Sequence, residues 1–317
     1  MRLGILGTAD IAFRRFLPAL QKCSDITYVG VASRTPKKTS RFVEAYGGKG
    51  YPSYEALLED NNIDAVYVPL PPALHYEWGK KVLESGKHLL MEKPFTTNLE
   101  DTQKLLALAE EKGLAVHENY MFLYHSQLQK IKEIIADGTL GELRLLRVSF
   151  GFPKRGEKDF RYNKALGGGA LLDCGGYPVR LAFELLGGTA HVVQARLTQP
   201  EGYEVDLYGS AVLENAEGLC AQVSFGMDNA YQCQLEIWGS KATLIAPRIF
   251  TAPSDMNPPL LLKKSDGEEK RILEADNSFL KSLDVFQLAC AKNGSQEKTQ
   301  IKRQGILIDA IMKGAVS

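Results

Sequence analysis

The chain has 317 residues, 44% of them hydrophobic and 24% charged, and its 38 basic and 38 acidic residues leave a formal net charge of zero. That length exceeds the usual size of a single core, so two domains are expected. The composition is that of a soluble globular protein, and the charge balance excludes a global field that would recruit nucleic acid or an anionic membrane.

Residues 3–6 are apolar and end at Gly7, 11–20 carry apolar positions at helical spacing, and 28–32 read as a second buried strand. Strand, glycine turn, helix and strand make a βαβ unit. The rhythm continues with a helix at 39–46, a strand at 65–68, a helix at 73–85, a strand at 88–91, a helix at 99–112 and a strand at 115–117. Such alternation implies a parallel sheet covered by helices on both faces. After about residue 120 the pattern changes to successive strands at 143–152, 191–198, 210–214, 219–225, 232–239 and 243–246, which predicts a mostly antiparallel sheet with one wet face. A helical stretch at 170–186 is expected to lie against it, helices at 279–291 and 299–314 close the chain, and the proline-rich 251–259 reads as a loop on the substrate side.

Five scattered cysteines, Cys23, Cys174, Cys220, Cys233 and Cys290, form no CxxC spacing, so neither a disulfide frame nor a metal site is expected. The start of the chain meets Asp10 too soon for a signal-peptide core, and no apolar run approaches the ~18 residues of a membrane helix. A reducing, cytoplasmic location is the expectation.

The turn after the first strand, Gly7-Thr8-Ala9-Asp10-Ile11-Ala12, is a G-x-A-x-x-A version of the dinucleotide fingerprint. Gly7 permits the tight turn, Ala9 and Ala12 are small enough for close approach, and the amides at the helix start face the phosphates. The second strand ends in Ser33-Arg34, with none of the carboxylates that bind a ribose 2′-hydroxyl. A hydroxyl followed by a guanidinium suits a 2′-phosphate, which selects NADP(H) over NAD(H). Farther along, Leu70 is placed to pack on the nicotinamide, and His75 to cap the next helix or touch the ribose.

Two segments carry the chemistry. Met91-Glu92-Lys93-Pro94 follows a buried strand at the carboxyl edge of the sheet, where open α/β folds bind ligands. Its proline restricts Lys93 to an extended backbone. In Gly167-Gly168-Gly169-Ala170-Leu171-Leu172-Asp173-Cys174-Gly175-Gly176-Tyr177 the glycines allow a close turn before a helix on which Asp173 and Tyr177, four apart, share a face. An ammonium, a carboxylate and a phenol are what a site needs to protonate an oxygen while hydride arrives at carbon.

By these residues the chain resembles the Gfo/Idh/MocA oxidoreductases, whose marks are a degenerate dinucleotide turn, an E-K-P segment and G-G-G-x-x-x-D-x-G-x-(H/Y). The resemblance covers nearly the whole chain, and Tyr177 at the last position is similar to the branch holding sugar 3-ketoreductases, glucose-fructose oxidoreductase and dihydrodiol or aldose dehydrogenases. Stretches such as 9–15, 66–71, 118–123, 161–162 and 248–253 look most like the nucleotide-sugar 3-ketoreductases of deoxysugar biosynthesis. The resemblance implies an α/β Rossmann NADP-binding domain over 1–120 and an α+β, mostly antiparallel open-sheet domain for substrate and oligomerisation over 121–317. It implies cofactor contacts from Thr8, Ala9, Asp10, Ile11, Ala12, Phe13 and Arg14, from Ser33 and Arg34, and from Tyr54, Leu70 and His75. It also implies substrate contacts from Arg161, Asp173 and Tyr177, and a homodimer or homotetramer.

The expected reaction is NADPH-dependent reduction of a nucleotide-linked 3-keto-deoxysugar. In it Tyr177 touches the carbonyl oxygen, and Lys93 lowers the phenol pKa or donates the proton itself. This requires Lys93 and Tyr177 to converge beside the nicotinamide. Asp173 orients a sugar hydroxyl or balances the lysine, and Arg161 holds a diphosphate or hydroxyl. An NADP-dependent aldose or trans-dihydrodiol dehydrogenase uses the same pair, and a non-enzymatic NADP sensor on this scaffold needs neither group.

Overall fold

The computed structural model describes residues 1–35, 37–292 and 295–314, with the backbone alone at 295 and 296. Pro36, in the basic loop after the second strand, and 315–317 lie outside the described residues. The chain divides into two compact units: Met1–Tyr120 together with Phe279–Gly305, and Met121–Ser278 together with Ile306–Ser317.

The first unit begins with β1 (Arg2–Leu6), α1 (Leu17–Leu20), β2 (Thr27–Ala32), α2 (Lys37–Tyr46), β3 (Lys49–Tyr51) and α3 (Tyr54–Leu58). It continues through β4 (Ala65–Val68), α4 (His75–Glu84), β5 (His88–Met91), α5 (Leu99–Glu111) and β6 (Val116–Glu118). The strands run parallel in the order β3-β2-β1-β4-β5-β6. The order reverses between β1 and β4, the switch point at which such sheets open a crevice at their carboxyl ends. All four residues of β4 are buried, as an interior strand covered on both faces must be. The helices start where the sequence supplies caps: Ser53 accepts the Ala56 N–H at 3.1 Å before α3, and Asn98 accepts the Asp101 N–H at 2.8 Å before α5. Glu100 and Asp101 then complement the positive end of α5.

The second unit holds α6 (Ser126–Ala136), β7 (Leu143–Gly151), α7 (Gly176–Leu186), β8 (His191–Thr198), β9 (Tyr208–Glu214), β10 (Cys220–Gly226), β11 (Gln232–Gly239), β12 (Ala242–Ala246), β13 (Pro259–Lys264) and β14 (Gly267–Ile272). Among the described residues these strands form one sheet in the order β14-β13-β12-β11-β7-β10-β9-β8. It is antiparallel except where β7 and β10 run side by side in parallel. Burial alternates along β10 and β11. One face therefore carries Val148, Phe150, Val223, Phe225, Leu235 and Ile237 into the core, and α7, buried over most of its length, packs on β7 and β10. The other face presents Arg147, Ser149, Gln222 and Ser224, with the Ser149 and Ser224 hydroxyls 2.8 Å apart.

The last helices, α8 (Ser278–Lys292) and α9 (Ser295–Gly314), carry the chain back to the first unit. There Ile301 joins the core of the parallel sheet, and a Cβ on Gly305 would stand in ordinary contact with Thr102 of α5.

Candidate active site

Lys93 and the residues expected to touch the cofactor belong to the first unit, and Arg161, Asp173 and Tyr177 to the second. At the end of β1, Gly7 takes φ +113°, a conformation that favours glycine. Its N–H donates to Ala32 O at 2.9 Å, and a Cβ there would stand 2.7 Å from Leu70 Cδ2. The turn after β1 and the loop after β4 thus lie against each other, which brings Gly7 and Leu70 together. The chain is helical from Asp10, passes through a π-turn at Ala12–Phe16 in which the Leu17 N–H reaches Ala12 O, and continues as α1. Ala12 is enclosed, Thr8 and Ala9 are half-buried, and Asp10 and Ile11 are exposed. The first amides of a helix have no partner within it, which is what binding of a pyrophosphate requires. Arg14 pairs with Asp10 at 3.3 Å. Phe13 lies edge-on to Phe42 and Tyr46 of α2 at 5.1 and 5.2 Å, under the Arg41 guanidinium at 3.6 Å. These contacts seat α2 against the turn.

At the end of β2, Ser33 is buried and accepts the Thr35 N–H at 3.2 Å, while Arg34 is exposed and hydrogen-bonds Tyr54. The Tyr54 ring stands edge-on to Trp78 at 4.7 Å, and burial pushes its phenol pKa up against the pull of Arg34. A hydroxyl beside an exposed guanidinium, with no carboxylate, suits a phosphate dianion better than a ribose diol.

His75 is fully enclosed. Its Nδ1 lies 2.7 Å from Pro94 O and its Nε2 2.7 Å from Leu70 O, so it ties the loop after β4 to the segment carrying Lys93 and shows no ring edge to solvent. Burial holds its pKa down to about 4, outweighing the two carbonyls that favour the cation, and the Lys93 charge acts in the same direction as burial.

The residues flanking Lys93 are held on every side. Glu92 Oε1 accepts the Tyr67 hydroxyl at 2.6 Å and the Asn119 Nδ2 at 2.7 Å, and the Phe95 N–H donates to Glu118 Oε1 at 2.7 Å. The Lys93–Pro94 peptide is cis. Burial pushes the Glu92 pKa up, against those two donors and the neighbouring Lys93 charge. Lys93 itself is half-buried.

In the second unit each glycine of the run has its own cause. Gly167 takes φ +77°, a Cβ on Gly168 would collide with the Arg161 carbonyl oxygen, and Gly169 takes φ +118° with a Cβ position 2.5 Å from Asp206 Oδ1. Asp206 was invisible to the sequence reading, yet it starts the site helix: its Oδ2 accepts the Leu171 N–H and its carbonyl the Ala170 N–H, both at 2.8 Å. Burial raises its pKa against these amides. A second π-turn, Leu171–Gly175, leads into α7, and turns of this kind recur at functional sites.

Asp173 and Tyr177 are each 8% exposed. Arg161 and Asp173 are brought together: Arg161 Nε donates to Asp173 Oδ2 at 2.7 Å and Nη1 to Asp159 Oδ1 at 3.1 Å. The guanidinium thus sits between two carboxylates. The Tyr177 ring is packed by Phe150, Phe250 and Phe122 at 5.0, 5.6 and 5.8 Å, an aromatic wall that fixes where its hydroxyl emerges. The alternating burial along β7 is the signal that could have found Phe150; nothing comparable marks Asp206.

Residues 1–120 match the oxidoreductase family with an NAD-binding Rossmann fold, Gfo/Idh/MocA, and residues 128–245 match the Gfo/Idh/MocA C-terminal domain. The chain is a Gfo/Idh/MocA oxidoreductase. Among relatives of this oxidoreductase, a dTDP-3,4-didehydro-2,6-dideoxy-alpha-D-glucose 3-reductase of Actinomadura kijaniata is 39% identical over 317 residues, covering 99% of this chain and 96% of its own. A D-xylose 1-dehydrogenase (NADP(+)) 2 of Haloferax volcanii is 35% identical, covering 72% of this chain and 70% of its own. Among solved structures, the 3-ketoreductase KijD10 of Actinomadura kijaniata, in complex with NADP and TDP-benzene, superposes with a TM-score of 0.96 at 39% identity over 99% of this chain and 98% of its own. KijD10 has also been solved with one tyrosine replaced by phenylalanine and with one lysine replaced by alanine or glutamate.

Proposed function

We propose that this oxidoreductase reduces the 3-keto group of a deoxysugar carried on a nucleoside diphosphate, with NADPH as the reductant. The observation that carries the reading is the end-to-end similarity to a dTDP-sugar 3-reductase in a chain that holds both Lys93 in its clamped segment and Tyr177 in its aromatic wall. The residues present fit the cofactor: the Gly7 turn has no room for a side chain, and Ser33 with Arg34 offers a phosphate site at the end of β2. NADPH, when bound, supplies the hydride that reaches the sugar carbonyl carbon.

The chain's own residues handle the oxygen. Tyr177 hydrogen-bonds the carbonyl and gives its proton to the oxygen as negative charge develops there, and the Lys93 ammonium makes the phenol a readier donor by favouring its anion. Asp173, held by Arg161, accepts from a sugar hydroxyl and fixes the ring's orientation. Subunit contacts belong with the same reading: the open face of the eight-stranded sheet, with Tyr208 and Trp238 exposed, is the proposed surface for a homodimer or homotetramer. A reducing, cytoplasmic compartment suits five free thiols.

General acid catalysis contributes roughly 10²–10⁴-fold, so Tyr177→Phe and Lys93→Met are each expected to lose at least about a hundredfold in kcat. NADPH binding, read by nicotinamide fluorescence, should persist in both. Full turnover in both variants would remove the assignment. A free-sugar dehydrogenase, the reading favoured by the D-xylose 1-dehydrogenase relative, is told apart by thermal melting: dTDP should raise the Tm of a nucleotide-sugar reductase and leave that of a free-sugar enzyme unmoved.

A further inference from the structure

Behind the segment that carries Lys93 runs a buried chain of hydrogen bonds whose direction is fixed at every link. Glu92 Oε1 is an acceptor, so the Asn119 amide must turn its Nδ2 toward it, at 2.7 Å. Asn119 Oδ1 is then left to accept, and it takes the Ser282 hydroxyl at 2.9 Å. The single Ser282 proton is thereby used, so the His117 Nε2, 3.0 Å from Ser282 Oγ, must donate to it. The other His117 ring nitrogen stands 3.2 Å from the Glu297 carboxylate, within ion-pair distance though not aligned as a hydrogen bond.

These residues come from remote parts of the sequence. Glu92 follows β5, His117 and Asn119 lie in and just after β6, Ser282 is on α8 and Glu297 on α9. His117 is fully buried and Ser282 is 3% exposed. A buried polar network of this kind costs stability unless each member is satisfied, and an apolar residue at Ser282 would pack against β6 at lower cost. Its outcome at the near end is a carboxylate with two donors on one oxygen, bonded to the Lys93 backbone N–H and within reach of the Lys93 charge.

We infer that Ser282, with His117 behind it, is a positioning residue for Lys93: through Asn119 it fixes the Glu92 carboxylate that anchors the lysine's backbone and attracts its ammonium. The inference deepens the reductase reading and rests on it for its effect on turnover.

The test replaces Ser282 in the full chain by alanine, which removes the hydroxyl, and by threonine, which keeps it. Two quantities are read. One is kcat and KM with NADPH and a dTDP-linked 3-keto sugar. The other is the acetylation rate of Lys93 by acetic anhydride in the protein without ligand, followed by peptide mass spectrometry against the exposed Lys80.

Ser282→Ala is expected to lower kcat by about three- to tenfold, the order of one lost buried hydrogen bond, with KM unchanged within about twofold. Lys93 acetylation should rise by at least about twofold, since a side chain whose anchoring segment is loosened is more open to the reagent. Ser282→Thr should restore both. If Lys93 acetylation in Ser282→Ala equals that of the unaltered protein, or if threonine is as impaired as alanine, the inference is overturned. If acetylation changes as expected while the unaltered protein shows no turnover with the keto sugar, the substrate reading fails and the positioning role stands.

Discussion

Arg34 stands exposed at the end of β2 with Tyr54 as its neighbour, and Ser33 beside it is buried against the Thr35 amide. A guanidinium bound to a phosphate is a charge-assisted contact of about 1.5–3 kcal/mol. Arg34→Ala should therefore lower kcat/KM for NADPH by roughly ten- to a hundredfold while leaving that for NADH nearly unchanged, and equal losses with both cofactors would refute the assignment. His75 gives a pH signature. Its folded pKa of about 4 lies below the ordinary 6.5, so between those values the unfolded chain takes up a proton that the folded chain refuses. Stability should fall as pH drops from 6.5 to 4, by on the order of 3 kcal/mol. Urea unfolding across that window measures it, and His75→Gln should flatten the slope. At this scale the sequence marks residues whose chemistry is unusual for their place, as with Lys93, Ser33, Arg34 and Tyr177, the candidates that the variants above test. It was not legible for Asp206, Asn119 or Ser282, whose importance lies in partners 35, 27 and 163 positions away.

Both motif-bearing helices open through a π-turn, one at Ala12–Phe16 and the other at Leu171–Gly175. The second depends on the glycine run before it. Gly169→Ala places a Cβ at φ +118° and 2.5 Å from the Asp206 oxygen that borders the helix start, so it should cost at least about 2 kcal/mol and lower Tm by several degrees. Gly187→Ala, at φ +85° with open space around it, should cost only the backbone strain of about 1–2 kcal/mol. Equal losses in calorimetry would show that contact with Asp206 contributes nothing. Elements with strong periodicity were foreseen close to their observed ends. Short ones were not: β3 and α3 span three and five residues, too few for a period to declare itself. The hairpin β13–β14 escaped because β14, Gly267–Ile272, is exposed along nearly its whole length, and an edge strand rich in charge carries no inward face to alternate. The helix α6 lay in the stretch where strands were expected to begin.

The parallel and antiparallel sheets were both legible as wholes, because the change from helix–strand alternation to successive strands falls where β6 ends and the second unit begins. What periodicity could not reveal is that α8 and the first part of α9 return to the first unit. No local pattern tells a helix which of two cores it will serve. That return has a consequence for how the protein is made. Leu283, Phe286 and Ile301 are enclosed, and His117 and Asn119 meet Ser282 only once those late residues exist. A ribosome releases the first 120 residues long before it reaches them, so the nascent nucleotide-binding half must wait with an open flank until the tail arrives. The first unit is therefore completed only after the second has been synthesised, so its folding cannot simply follow the order of synthesis.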